Sequence, residues 1–464
     1  MTEELDVQAI ADEIACGNFS DPRLVRRLRM IMEAAAAKPS TSLPKMFKSA
    51  GELEAAYRFF ANPMVTLYAI LAPHFDATRE RARRESCVRA LHDQTEFAYR
   101  RQGHRQGLSE GAYQSFSAHV SLLVSGDEHR RPLGLAGIHT WIRGGDKGVT
   151  AQSFWLKQIR ATAQMLGPDI RPVHICDRGA EDFVLLHELL ASKDRFVIRV
   201  GNRYTESGPG GEHMKLREVM ATVAHLSERS AKVNPRRRES DARVRKIHPP
   251  RDARTVELNI SACSVVLARP SSKAVRARGE YFAKTIEVNA VRVWEPNPPA
   301  GETPIEWFLF TNEPIATAAD LCAIVEHYRA RWVIEEYFKA LKSGCSFEKR
   351  QLGDYEGLVN ALGVFAPLAY NVLLLRTKAR ATPDAPASTV ASEEQIEVLR
   401  ALGRRKLPDQ PTARDVLLAV AALGGHIQYA PDPGWLTISR GYEDLELLTR
   451  GWRAGKLQQA YDQR

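Results

Sequence analysis

The chain has 464 residues, with 65 Lys and Arg against 56 Asp and Glu for a formal net charge of +9. That length suffices for two or three domains and at least one sizeable core, and the positive balance favours a polyanionic partner. Cys16, Cys87, Cys176, Cys263, Cys322 and Cys345 show no Cys-x-x-Cys spacing, which argues against a zinc site and for reduced thiols in a cytoplasmic protein. The N-terminal Met-Thr-Glu-Glu-Leu-Asp lacks the regions of a signal peptide. The most apolar run, Ala361 to Leu375, is interrupted by Pro367 and Asn371 and is too short for a bilayer, so no membrane segment is expected.

Asp21-Pro22 is a helix start, with Asp as N-cap and Pro at the first position, and opens a helix over Arg23 to Ala37. A second helix, Glu52 to Phe60, follows the loop Lys38 to Pro44 and stops at Asn62-Pro63. Arg23, Arg26, Arg27, Lys38, Lys45, Lys48 and Arg58 make this module either a phosphate-binding surface or a solvated helical face.

From residue 86 the pattern becomes that of strands: Ser86 to His92 ending on Asp93, Ser115 to Val124, and Pro132 to Trp141. A helix over Ala151 to Leu166 and a strand over Arg171 to Cys176, delivering Asp177, come next. Then follow a helix, Ala180 to Ala191, and a strand, Arg195 to Val200. Three strands, a helix and a strand, with acids closing the first and fourth strands, is the order of an α/β ribonuclease-H-like core.

Residues 201 to about 305 read as a mostly β insertion. It holds the basic tract Arg229 to Arg254 with Arg236-Arg237-Arg238, and strand-like runs at Thr255 to Ala268 and Thr285 to Trp294. Trp307, between apolar neighbours, is either a core aromatic or a stacking platform for an unstacked base. Tyr328 to Lys342 carries no Gly or Pro and predicts one helix. At 100° per residue, Tyr328, Arg331, Glu335 and Lys342 fall within about 60° of each other, with Lys339 extending that face. A helix over Leu358 to Arg380 closes the core, Thr382 to Thr389 reads as a linker, and the tail is helical over Thr412 to Leu423 and Gly441 to Trp452.

Divalent cations in phosphoryl chemistry need hard oxygen ligands on rigid elements, which Asp93, Asp177 and Glu335 offer as a candidate triad. Taken singly, each Asp is as well read as a turn former. Glu336, about 100° around the helix from Glu335, and Glu96, Glu181 and Asp182 read as structural.

The spacing Tyr-x2-Arg-x3-Glu-x6-Lys resembles the signature helix of bacterial DDE transposases of the insertion-sequence four family. Ile-Glu-Glu-x-x-Lys-Ala-x-Lys-Ser-Gly is similar to their Tn five type. Leu-His-Asp-x-Thr, Ile-Cys-Asp-Arg, Gly-Glu-Thr-Pro-x-x-Trp-x-Leu-x-Thr and Leu-Gly-Gly extend the resemblance along nearly the whole chain, with Gln94 departing from the family's Thr.

The resemblance implies an N-terminal helical domain (1–70) binding transposon-end DNA through Arg27, Lys38 and Arg58. It implies a catalytic domain (71–380) whose Asp93, Asp177 and Glu335 hold two Mg²⁺, with Mn²⁺ as substitute, and a C-terminal dimerisation domain (381–464). Tyr328, Arg331, Lys339, Lys342, Arg178 and Arg199 would contact phosphates, and Trp307 would hold a flipped base. The implied reaction is nicking, hairpin formation and opening, and joining of 3′-ends to target DNA by a homodimer in a bacterial cytoplasm. A structure-selective nuclease and a non-catalytic DNA-binding regulator are the alternatives.

Overall fold

The structure, a computed structural model, describes residues 13, 17–100, 103–109, 113–144, 151–205, 213–233, 235–236, 249–271, 281–427 and 432–462. Of the basic tract, residues 234 and 237–248, with Arg237 and Arg238 among them, lie outside the described residues. The chain opens with helices α1 (Pro22–Ala37), α2 (Leu43–Met46), α3 (Ala50–Phe60) and α4 (Leu67–Arg83), then strands β1 (Val88–Tyr99), β2 (Gln114–Ser125) and β3 (Pro132–Trp141). Helix α5 (Ala151–Leu166), β4 (Val173–Cys176), α6 (Phe183–Ser192) and β5 (Arg195–Val200) follow. The insertion holds β6 (Tyr204–Thr205), β7 (Met214–Lys215), α7 (Leu216–Ala221), β8 (Ser227–Val233), β9 (Arg254–Ala268) and β10 (Thr285–Trp294). After it come β11 (Glu306–Thr311), α8 (Ala318–Ala330), α9 (Trp332–Lys339), a π-helical turn (Ala340–Gly344), α10 (Tyr355–Ala381), α11 (Glu393–Leu402), α12 (Ala413–Leu423) and α13 (Trp435–Asp462).

Two compact units divide the chain: residues 1–149, 158–170 and 332–464 form one, and 150–157 with 171–331 the other. Strands β1, β2 and β3 of the first unit form an antiparallel meander, with Asp93 opposite Val120 and Gln94 opposite His119. Helices α4 and α10 cover β3. Helix α1 starts as its sequence dictates, with the Asp21 carboxylate accepting the Arg23 N–H at 2.8 Å and Pro22 in the first turn. Its apolar stripe Leu28, Ile31, Met32 and Ala35 is buried.

In the second unit β4 and β5 run parallel, joined by the crossover helix α6, as parallel pairing requires. The sheet then continues antiparallel through β11, β10, β9 and β8, so it is mixed and the insertion is mostly β. Helix α8 packs on β4 and β5. The fold is of the mixed α/β class that the element order predicts, with a mixed sheet and many helices.

Several elements differ from the sequence reading. Asp93 does not end β1; pairing with β2 runs on to Tyr99, because the half-buried Asp93 to Glu96 keep the backbone ladder and Phe97 and Tyr99 are buried beyond them. Helices α4 and α11 were not foreseen. The helix expected over 328–342 is broken into three: α8 stops at Ala330, α9 starts after Arg331, and the last turn is π-helical. The 382–389 stretch is not a free linker: Ala387 N–H donates to Pro411 O at 3.0 Å and Ala413 N–H to Ala385 O at 2.7 Å. Helix α10 has 27 residues and holds an 18-residue stretch with a mean hydropathy of 1.8, long and apolar enough to cross a membrane, contrary to the expectation for the shorter run. Because 94% of that stretch is buried, it serves as the core helix of the first unit.

Candidate active site and nucleic-acid interface

In the first unit Asp93 and Glu335 stand on β1 and α9, elements that pack together. Alternation along β1 puts Asp93 on one face with Thr95 and Phe97. The Lys342 ammonium lies 5.4 Å over the Phe97 ring and donates to Glu96 O at 2.6 Å. That bond ties the π-helical turn after Glu335 to the strand carrying Asp93. The Asp93 Oδ1 accepts the Gln94 backbone N–H at 2.8 Å. Glu96 plays the structural part expected of it, accepting from Ser115 Oγ at 2.9 Å and Tyr113 OH at 3.2 Å.

Behind Asp93, on the opposite face of β1, lies a buried polar network that sequence reasoning missed. Ser121 Oγ accepts from Gln158 Nε2 at 2.8 Å and from Thr162 Oγ1 at 2.9 Å. Its own proton is therefore directed to His92 Nδ1, 2.9 Å away, which leaves the His92 proton on Nε2. His119, paired with Gln94 across the ladder, is fully buried; burial and the neighbouring His139 push its pKa down to about 3. The only signal in the sequence was Ser and His at alternate positions of otherwise apolar strands.

In the second unit Asp177 follows β4, and its Oδ1 accepts the Gly179 N–H at 2.8 Å, capping the short turn Arg178–Ala180. The turn-forming role weighed for it is therefore present, on one carboxylate oxygen. The Arg178 side chain is exposed and lies against Gly201, where an added Cβ would come 2.9 Å from Nη2. Arg199 of β5 pairs with Leu309 of β11, and Trp307, two residues before Leu309, shares that face. Tyr328 of α8 meets Trp307 edge-on, with ring centroids 5.8 Å apart. Burial raises the Tyr328 hydroxyl pKa, and the Arg331 and Arg199 guanidiniums, which also hydrogen-bond it, oppose that rise. Arg199 and Arg331 thus converge on the Tyr328 hydroxyl, and Trp307 meets the ring that carries it.

The four-residue spacing of the signature helix is shared between the units: Tyr328 and Arg331 belong to the second, Glu335 and Lys342 to the first. Lys339 does not extend the Glu335 face. It donates to Glu336 Oε1 at 2.8 Å and lies 5.2 Å over the exposed Trp332 ring, while Glu336 also pairs with Arg376 at 2.5 Å. Glu181 accepts from Gly201 N–H at 2.7 Å and Asp182 caps α6 at Leu185 N–H, as structural acids. In the N-terminal helices Arg58 is exposed, Arg27 is half-buried, and Lys38 donates to Lys45 O at 3.3 Å.

Each of Asp93, Asp177 and Glu335 is half-buried on a regular element or its cap and supplies the hard oxygens a divalent cation takes. Among the described residues no three His, Cys, Asp or Glu side chains stand together as a group that could hold a metal ion. The two acids of the first unit fit by donor chemistry and by the packing of their elements; Asp177 fits by donor chemistry.

Residues 6–65 match the family described as Transposase DNA-binding, and residues 146–372 match the family described as Transposase DDE domain. Asp177 and Glu335 lie within the second span and Asp93 ahead of it. Among solved structures the chain is similar to one in a cryo-EM structure of a piggyBac transposase synaptic complex with hairpin DNA. That similarity is 9% in sequence, covers 81% of this chain and 72% of that chain, and has a TM-score of 0.30.

Proposed function

We propose, from the premise that this chain carries a transposase DNA-binding domain and a transposase DDE domain, that it is a cut-and-paste DNA transposase similar to the Tn five type of the insertion-sequence four family. The observation that carries the reading is the convergence of Arg199, Tyr328, Arg331 and Trp307 within the span of the DDE match. Two guanidiniums and a phenol are donors suited to a phosphate, and an indole beside them suits a base displaced from its stack, worth roughly 1–3 kcal/mol.

Transposase DDE domains are divalent-metal dependent. Asp93, Asp177 and Glu335 would hold the cations, two Mg²⁺ on this reading, with Mn²⁺ as a substitute. Bound there, such ions supply Lewis-acid charge beside the phosphodiester. Lys342 can keep its bond to the β1 carbonyl and still offer a phosphate its remaining donors, since an ammonium has three. Residues 1–70 would grip the transposon end through Arg27, Lys38 and Arg58. Residues 381–464 would join two subunits in a synaptic complex, working on DNA in the bacterial cytoplasm.

The steps on this reading are nicking at the element's end, hairpin formation, hairpin opening and joining of the 3′-end to target DNA. In each, one phosphorus–oxygen bond forms as another breaks. The test is incubation of the protein with its element's linear ends, a target plasmid and Mg²⁺, with products resolved on a denaturing gel. Hairpins and joined products are expected. Cleavage without joining identifies a nuclease instead, and specific binding without cleavage a regulator.

A further inference from the structure

In the tail of the first unit three cations stand against carboxylates. Arg414 bonds Asp432 at 2.5 Å, Arg453 bonds Glu394 at 2.5 Å, and Lys456 bonds Glu397 at 2.7 Å. Arg404, Arg405 and Lys406 differ from these three in standing next to one another on one cleft. They follow α11 in one loop and, among the described residues, have no carboxylate partner. They line a cleft of about 570 Å³ whose other walls are Leu418, Ala422, Gly425 and His426, with no acid among them.

A run of cations is most often a solvated face, and here it could also serve the ends of α11 and α12, both of which finish at this cleft. The charges decide between these roles. Two helix C-termini carry about half a negative charge each, so roughly one unit of the three positive charges is used and about two remain. That surplus stands on a concave surface, where the closely spaced charges of a polyanion match it better than single counterions do. Arg and Lys are the usual phosphate contacts, and phosphate and sugar take the larger share of protein–DNA hydrogen bonds.

We propose that Arg404, Arg405 and Lys406 form a second nucleic-acid site, which takes the phosphate backbone of duplex DNA independently of sequence and separately from the N-terminal DNA-binding segment. This site rests on the reading of the chain as a transposase that handles DNA beyond the element's own ends.

The experiment is fluorescence anisotropy with full-length protein, a random-sequence duplex and a transposon-end duplex, across 50 to 200 mM salt as an order-of-magnitude range. Replacing Arg404, Arg405 and Lys406 together by Ala is expected to weaken random-duplex binding by about tenfold or more. The slope of log K on log salt should fall by about 2 to 3, near 0.9 per lost contact. The thermal midpoint should stay in place, and Arg404→Ala with Lys406→Ala, both exposed, serves if the triple variant does not fold. An unaltered slope in a protein that binds DNA overturns this inference alone. A variant with an unaltered slope but a changed sedimentation coefficient assigns the patch to a protein partner and also overturns it. Wild-type protein that binds neither duplex overturns both this site and the proposed function.

Discussion

Arg350 is fully buried, and its guanidinium donates to the carbonyls of Thr41, Pro39 and Cys345 while lying 3.9 Å over the Phe365 ring. Burial lowers its pKa to about 10, so it stays charged at neutral pH. One side chain thereby fastens the loop after α1 to the π-helical turn and α10, and Glu443 of α13 holds the same loop at Ser40. Arg350→Met leaves three buried carbonyls unpaired and should cost about 3 kcal/mol or more, read as a lower denaturant midpoint with faster proteolysis at residues 38–42. Buried imidazoles contribute to the acid sensitivity of the fold. His119 is pushed down to about 3 and His174 to about 4, both by burial, against an ordinary value of 6.5. The unfolded chain binds those protons more tightly, so their contribution is full above about pH 6.5 and drains as pH falls toward 4. Each should remove about 1 kcal/mol per pH unit in that window, and thermal midpoints between pH 8 and 5 should decline less in His119→Gln than in the parent.

At the level of elements, α12 and α13 approach so closely that glycine is required at the contact. A Cβ on Gly441 would lie 1.7 Å from Val420 O, and one on Gly424 would lie 2.0 Å from Thr437 O. In an exposed helix Gly→Ala adds roughly 0.5–1 kcal/mol of stability. Here the displaced atom is backbone rather than a flexible side chain, so Gly441→Ala should lower the thermal midpoint instead. A rise would show that the two helices can separate at little cost. The break around Arg331 has its own consequence. Arg331 N–H reaches Tyr328 O at 3.0 Å; Tyr328 belongs to the arginine and indole cluster of the second unit, and Glu335 to a helix packed on β1 in the first. Tyr328→Phe keeps the edge-on contact with Trp307 but removes the hydroxyl between two guanidiniums. It should therefore weaken cleavage with end binding intact, measured as product formation at saturating DNA.

For the whole molecule, DNA binding and chemistry belong to different residues and should separate experimentally. Asp93→Ala, Asp177→Ala and Glu335→Ala are each expected to abolish cleavage while leaving end binding within about threefold, because none belongs to the cationic surfaces. A chelator should do the same to the parent protein, with activity returning on addition of Mg²⁺. Cleavage persisting in any of the three variants would remove that acid from the proposed set. The formal charge of +9 means binding at every surface will weaken with salt, so the comparison is meaningful only at fixed ionic strength.

Much of this was legible in the chain itself. Strands β3, β5 and β10 and helix α5 stand on the residues that alternation and helical period assign to them, because those patterns are local and survive packing. Asp177 at a strand end and Glu335 on a helix are visible for the same reason. The strand around Asp93 was read too short, since Asp-Gln-Thr-Glu has the composition of a turn and only pairing with β2 keeps it extended. A sequence also carries no direction for a long side chain. Lys339 and Lys342 look alike on a helical wheel, yet one turns to Glu336 and the other to the β1 backbone. The uninterrupted run from Tyr328 to Lys342 predicts one helix with one face, because no residue in it disfavours the helix. Tertiary packing decided that its two ends belong to different compact units, and that Arg199 and Trp307, distant in sequence, meet Tyr328 and Arg331.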